Sequence, residues 1–206
     1  MANANVKLSK TELMLVCDEQ FILTKNNIIN KVYQLFGTLS DYFFTRVKNA
    51  ETVFPLEVLT WSPKIYKGEQ YKGLPYVMLD YPRYFVKDEA FAIRSLFWWG
   101  KFFSITLHLT GKYALMHSSS VLHRIQKENS QWHVCINKDA WQHHFEPDNY
   151  LPANDNALVL FNKKTIEEKS FFKIAKKIPL QQWDDAYDFF VSGYNEILEI
   201  LVPGKD

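Results

Sequence analysis

The sequence predicts an α+β fold: a mostly antiparallel sheet built around a central hairpin at about residues 91–110, covered by N-terminal and C-terminal helices. Three observations carry this expectation. Amphipathic stripes with helical spacing lie toward both ends of the chain. Two strand-like runs joined by Gly100-Lys101 lie in its middle. Short extended runs with one further helix fill the space between.

Ser9 or Thr11 caps a first short helix that reaches about Phe21, with Glu12 in its first turn. A longer helix follows over about 27–47, where Ile28, Ile29, Val32, Leu35, Phe36, Leu39, Tyr42 and Phe43 recur at three- and four-residue steps. Gly37 weakens it by up to ~1 kcal/mol and marks a candidate break. Pro63, Gly68 and Gly73 punctuate residues 55–73, which read as loop with short extended pieces. A strand is expected over Tyr76–Asp80, ending before Pro82.

The runs Phe91–Trp99 and Phe102–Thr110 form the hairpin. Glycine at the first position of a two-residue loop favours a type II′ turn. In that register Trp99 faces Phe102, Phe97 faces Ser104, Ser95 faces Thr106 and Ile93 faces His108. One face then carries Ala92, Leu96, Trp98, Phe103, Ile105, Leu107 and Leu109, with Arg94 as its only charge, and packs against helices. The opposite face mixes Phe97 and Trp99 with Ser104, Thr106 and His108. Aromatic walls with hydroxyls and an imidazole suit a small-ligand pocket, and equally a half-solvated sheet face.

Gly111 introduces a helix over 112–125, with Leu115, Ser118, Leu122 and Ile125 as its inner stripe. Strands are expected at 132–137, Ala157–Phe161 and 170–178, with irregular chain over 138–156. The last helix spans about 181–201, on Trp183, Tyr187, Phe190, Tyr194, Ile197 and Leu201. Asp184 and Asp185 suit its positive end, and Pro203 and Gly204 stop it.

The 206 residues fit a single globular domain, 1–206, large enough to bury a core without staples. Aromatics reach 16%, which concentrates burial energy in rings. A net charge of +1 gives no global attraction to nucleic acid or to anionic membranes, so neither is an expected partner. The Lys-rich stretch 162–177, interleaved with Phe171 and Phe172, reads as a solvated face or a guarded sheet edge. Cys17 and Cys135 are too few and too far apart for a disulfide framework, which fits reduced thiols and a cytoplasmic protein. The most apolar segment, 90–109, carries Arg94 and Lys101 within it, unlike a membrane span.

No Gly-rich phosphate loop, nucleophile elbow, zinc-protease motif or C-x-x-C is present. His133, Cys135, His143 and His144 are the only metal-like grouping, and their spacing matches no ligand pattern, so no metal or cofactor is expected. A guanidinium on an aliphatic face needs a carboxylate or a bound anion. Asp80 on the preceding strand is the candidate partner of Arg94. Three readings share the hairpin's mixed face. It binds a small, partly aromatic or anionic ligand through Phe97, Trp99, Ser104 and Thr106, with Arg94 and Asp80 nearby. It houses an enzyme with His108 as catalytic general acid or base. Or it buries the face in a homodimer.

Overall fold

The computed structural model describes residues 6–49, 54–127, 131–153 and 171–202. The strand expected at 157–161, the lysines of 162–170 and the Pro203-Gly204 stop lie outside the described residues.

Helix α1 spans Lys10–Val16, started by a capping box in which the Ser9 hydroxyl accepts from the Glu12 amide and Glu12 accepts from the Ser9 amide. Asp18 then caps α2, Glu19–Lys48, by accepting from the Phe21 amide at 3.1 Å. The helix break therefore falls at residues 17–18, earlier than the apolar stripe suggested, because a second cap lies there. Gly37 does not interrupt α2.

The stretch read as loop holds a one-turn helix, α3 (Leu56–Leu59), and a full strand, β1 (Lys64–Tyr71). Strand β1 is an edge strand rich in charge, so it lacks the apolar pattern of an inner strand. Strand β2 runs from Leu74 to Val86, straight past Pro82. Its ladder to β3 shifts register between Asp80 and Arg83, which takes Tyr81 and Pro82 out of regular pairing. Strands β3 (Glu89–Trp98) and β4 (Phe102–Thr110) form the central hairpin. After α4 (Lys112–Lys127) come β5 (His133–Cys135), β6 (Tyr150–Pro152) and β7 (Phe171–Pro179). A 3-10 turn over Leu180–Asp185 leads into α5, Ala186–Leu201.

Among the described residues seven strands form one antiparallel sheet in the order β1-β2-β3-β4-β7-β5-β6. One face carries Val77, Leu79, Ile93, Phe97, Phe103, Ile105 and Leu107 into a single core with α2, α4 and α5. Rings lock the two long helices together: Phe43 stacks on Tyr194 at 3.8 Å, and Phe36 meets Phe190 edge-on at 5.5 Å. Along α4 the buried stripe is Ala114, Ser118, Val121, Leu122 and Ile125. Leu115 lies one step off that stripe and is 68% exposed.

The hairpin register differs from expectation by one residue. Its loop is Trp99-Gly100-Lys101, Trp98 pairs with Phe102, and Gly100 has φ +67°. The Trp99 amide donates to the Pro75 carbonyl of β2 at 2.9 Å, which removes Trp99 from the β3–β4 ladder. A one-residue slip exchanges the faces of one strand relative to the other. Arg94, Leu96 and Trp98 therefore share a face with Ser104, Thr106 and His108, away from the helices, whereas Phe97 lies in the helix-side core.

Candidate functional site

The face opposite the helices holds most of the buried polar side chains among the described residues. Asp80 of β2, Arg94 of β3 and Thr106 of β4 form one transverse row, continued by Ala175 of β7. Arg94 donates to both oxygens of Asp80, from Nε at 2.7 Å and from Nη2 at 2.9 Å. Each residue is 3% exposed. Burial acts to lower the Arg94 pKa, but the carboxylate more than offsets it and holds the guanidinium firmly charged. Tyr66 of β1 adds its hydroxyl, 3.1 Å from Asp80 Oδ2, and burial raises the pKa of that phenol.

The segment between β5 and β6 forms a roof over this row. Asn137 and Asp139 fold it locally by accepting from the amides of Asp139 and Trp141. Two side chains from the sheet then fasten it. The Tyr71 hydroxyl accepts from the His143 and His144 amides at 2.7 and 3.1 Å. The Lys173 ammonium, 1% exposed, donates to the Ala140 and Gln142 carbonyls at 2.8 and 2.6 Å. Between these fastenings Trp141 hangs over the sheet, 55% exposed, with its ring 5.7 Å from the Arg94 guanidinium carbon and 6.2 Å from the Phe85 ring.

Two adjoining recesses open beneath this roof. One of about 290 Å³ is lined by Lys64, Tyr66, Asp80, Arg83, Phe85, Arg94 and Trp141. The other, about 240 Å³, is lined by Tyr66, Tyr71, Tyr76, Met78, Arg94, Trp141 and His143. They share Tyr66, Arg94 and Trp141. Asp80 occupies Nε and Nη2 of Arg94, and Nη1 has no protein acceptor among the described residues. The larger recess carries Lys64, Arg83 and Arg94 against a single carboxylate, so it is electropositive.

Of the residues singled out from the sequence, the structure brings Asp80 and Arg94 together as the floor. It sets Ser104 and Thr106 on the same face, buried beside them. His108 lies on that face too, but 1% exposed beneath the rings of Trp141 and Phe85. Burial, with Arg94 and Lys173 nearby, pushes its pKa well below the ordinary value and keeps it neutral. A sealed, neutral imidazole is not placed to exchange protons with a substrate. Phe97 packs against Phe103 and Trp183 on the helix side, and Trp99 sits in the turn beside Phe97, so neither lines the recesses.

Tyr66, Tyr71, Phe85 and Trp141 were not among the residues singled out from the sequence, and His143 was weighed only as a metal ligand. The available signal was the presence of large rings inside otherwise polar segments, at residues 64–71 and 139–145. Among the described residues no three His, Cys, Asp or Glu side chains are grouped to hold a metal ion. Cys135 instead donates to Asn149, and His133 meets the Gln131 carbonyl. Among the described residues no helix is long and apolar enough to cross a membrane. No family model matches the chain, and no curated protein or solved structure matches it significantly.

Proposed function

We propose that the protein is a binding module for a small organic anion bearing a planar ring, seated on the sheet between Trp141, Phe85 and Tyr66. The observation that carries this reading is the state of Arg94. Its guanidinium is buried and held in place by Asp80, yet one terminal nitrogen with two N–H donors has no protein acceptor where it meets the recess. A fixed guanidinium fork with free donors suits a carboxylate or phosphate oxygen, and its positioning cost is met before the ligand arrives. Arg83 and Lys64 add positive charge at the rim. The rings supply flat apolar walls that a neutral sugar or an aliphatic acid would fill poorly. Recesses of about 290 and 240 Å³ fit a single-ring acid or a small phosphate ester.

A thermal-shift screen against aromatic carboxylates, aliphatic carboxylates and sugar phosphates tests this. Ring-bearing anions are expected to raise the melting temperature and their neutral amides are not. Arg83→Ala and Trp141→Ala should remove the shift, each read against the unliganded melting temperature of the same variant, and both are expected to fold because both side chains reach solvent. Equal shifts with the amides, or shifts that survive in both variants, would count against the reading.

A further inference from the structure

The two recesses differ in charge. Lys64, Asp80 and Arg94 are cross-strand partners on β1, β2 and β3, so one transverse row ends in a lysine on the edge strand. Asp80 neutralises Arg94 through contacts of 2.7 and 2.9 Å. Lys64 and Arg83 line the larger recess, and neither has a carboxylate within ion-pair distance among the described residues. Arg83 is held in place all the same. Its Nε donates to the Ser62 carbonyl at 2.8 Å, and its guanidinium carbon lies 5.0 Å from the centre of the Trp61 ring. Asp139 of the roof lines neither recess, and its carboxylate accepts from the Trp141 amide and the Gln142 side chain. The larger recess therefore presents cations from three neighbouring strands, Lys64, Arg83 and Arg94, with only Asp80 against them.

In the smaller recess Arg94 is the only charged lining residue. His143 lines it too, and burial, with Arg94 and Lys173 nearby, pushes its pKa well below the ordinary value and keeps it neutral. Tyr71 commits its hydroxyl to the roof amides and Tyr66 its own to Asp80, which leaves their rings as walls. This recess suits an uncharged ring and adds no cation for a second anionic group. A carboxylate brings one charge and two oxygens. A phosphate monoester brings about 1.5 to 2 negative charges at neutral pH and three terminal oxygens. It matches the two uncompensated cations, and it supplies one oxygen each to Lys64, Arg83 and the Nη1 of Arg94. We infer, on the basis of the anion-binding role proposed above, that the ligand is a phosphate monoester of a single-ring compound. Its phosphate sits among Lys64, Arg83 and Arg94 in the larger recess, and its ring lies under Trp141 in the smaller one, against Tyr71 and Met78.

Isothermal titration calorimetry of the full chain with phenyl phosphate, methyl phenyl phosphate, benzoate and inorganic phosphate tests it. Methyl phenyl phosphate keeps the ring but carries one charge and two free oxygens. Phenyl phosphate is expected to bind about tenfold or more tightly than each of the other three. Lys64→Gln should narrow its preference over benzoate by about threefold. Lys64 is exposed, so this variant is expected to fold, read by circular dichroism. Benzoate binding as tightly as phenyl phosphate overturns the inference and leaves the anion-binding role standing. A preference for phenyl phosphate that is unchanged in Lys64→Gln overturns the placement of the phosphate. Inorganic phosphate binding as tightly as phenyl phosphate, or no binding by any of the four, overturns both the inference and the role on which it rests.

Discussion

Arg94 and Asp80 define the chemistry of the cleft face, and their energetics follow from burial. An ion pair at 3% exposure adds little net stability, but one partner without the other leaves an uncompensated charge. Arg94→Met alone is expected to cost about 3–5 kcal/mol in urea unfolding, and Asp80→Asn a comparable amount. The double variant Asp80→Leu/Arg94→Met should recover most of that loss while binding no anion. A double variant as unstable as the sum of the singles would mean that the two side chains are not energetically coupled, against a buried ion pair. The histidines carry a second residue-scale consequence. Burial pushes the pKa of both His108 and His143 well below 6.5. The folded state therefore refuses protons that the unfolded chain accepts as pH falls through 6.5. Stability is full above that pH and declines below it, by about 1.4 kcal/mol per pH unit for each histidine excluded from protonation. Urea melts at pH 7.5 and pH 5.5 should show the acid sample markedly weaker. Equal midpoints would mean that these imidazoles gain solvent in the folded protein.

At the scale of elements, two glycines in long helices separate packing from propensity. In α5, a Cβ on Gly193 would come within 2.8 Å of the Ile105 side chain and the Lys176 Cε, because the helix lies close on β4 and β7 there. In α2, a Cβ on Gly37 meets nothing within 4 Å. Gly193→Ala is expected to destabilise by about 1–3 kcal/mol, and Gly37→Ala to stabilise by up to ~1 kcal/mol. Thermal denaturation of the two variants reads both signs, and a stabilising Gly193→Ala would refute the close approach of α5. The elements most legible in the sequence were those with a long apolar period: the α2 and α5 stripes, the α4 helix and the existence of the β3–β4 hairpin. What escaped was set by single backbone contacts. The Trp99 amide bonded to Pro75 shifts the hairpin by one residue, and the bulge after Asp80 lets β2 run past Pro82. Neither leaves a periodic trace. Strand β1 escaped because an edge strand is charged where an inner strand is apolar.

Over the whole molecule, one antiparallel sheet separates two environments. Its helix side is a ring-filled core, and its other side holds a row of buried charge under a roof fastened by Tyr71 and Lys173. Of the candidate site the Asp80–Arg94 pairing was legible, because a charge in an apolar strand demands a partner, whereas Ser104 and Thr106 were expected on the opposite hairpin face and reach the side of Arg94 only through the one-residue slip in register. The walls were not legible, since Tyr66 and Trp141 reach the site from an edge strand and a loop far apart in sequence. In the proposed function the free Arg94 donors receive an anion beneath Trp141. Titrating a ring-bearing carboxylate into ¹⁵N-labelled protein, while following the Arg94 guanidinium and Trp141 indole resonances, tests it most directly. Saturable, concerted shifts of both signals, abolished in Arg83→Ala, are the expected result. Saturable binding that leaves the Arg94 resonances unmoved would contradict anion binding at this guanidinium.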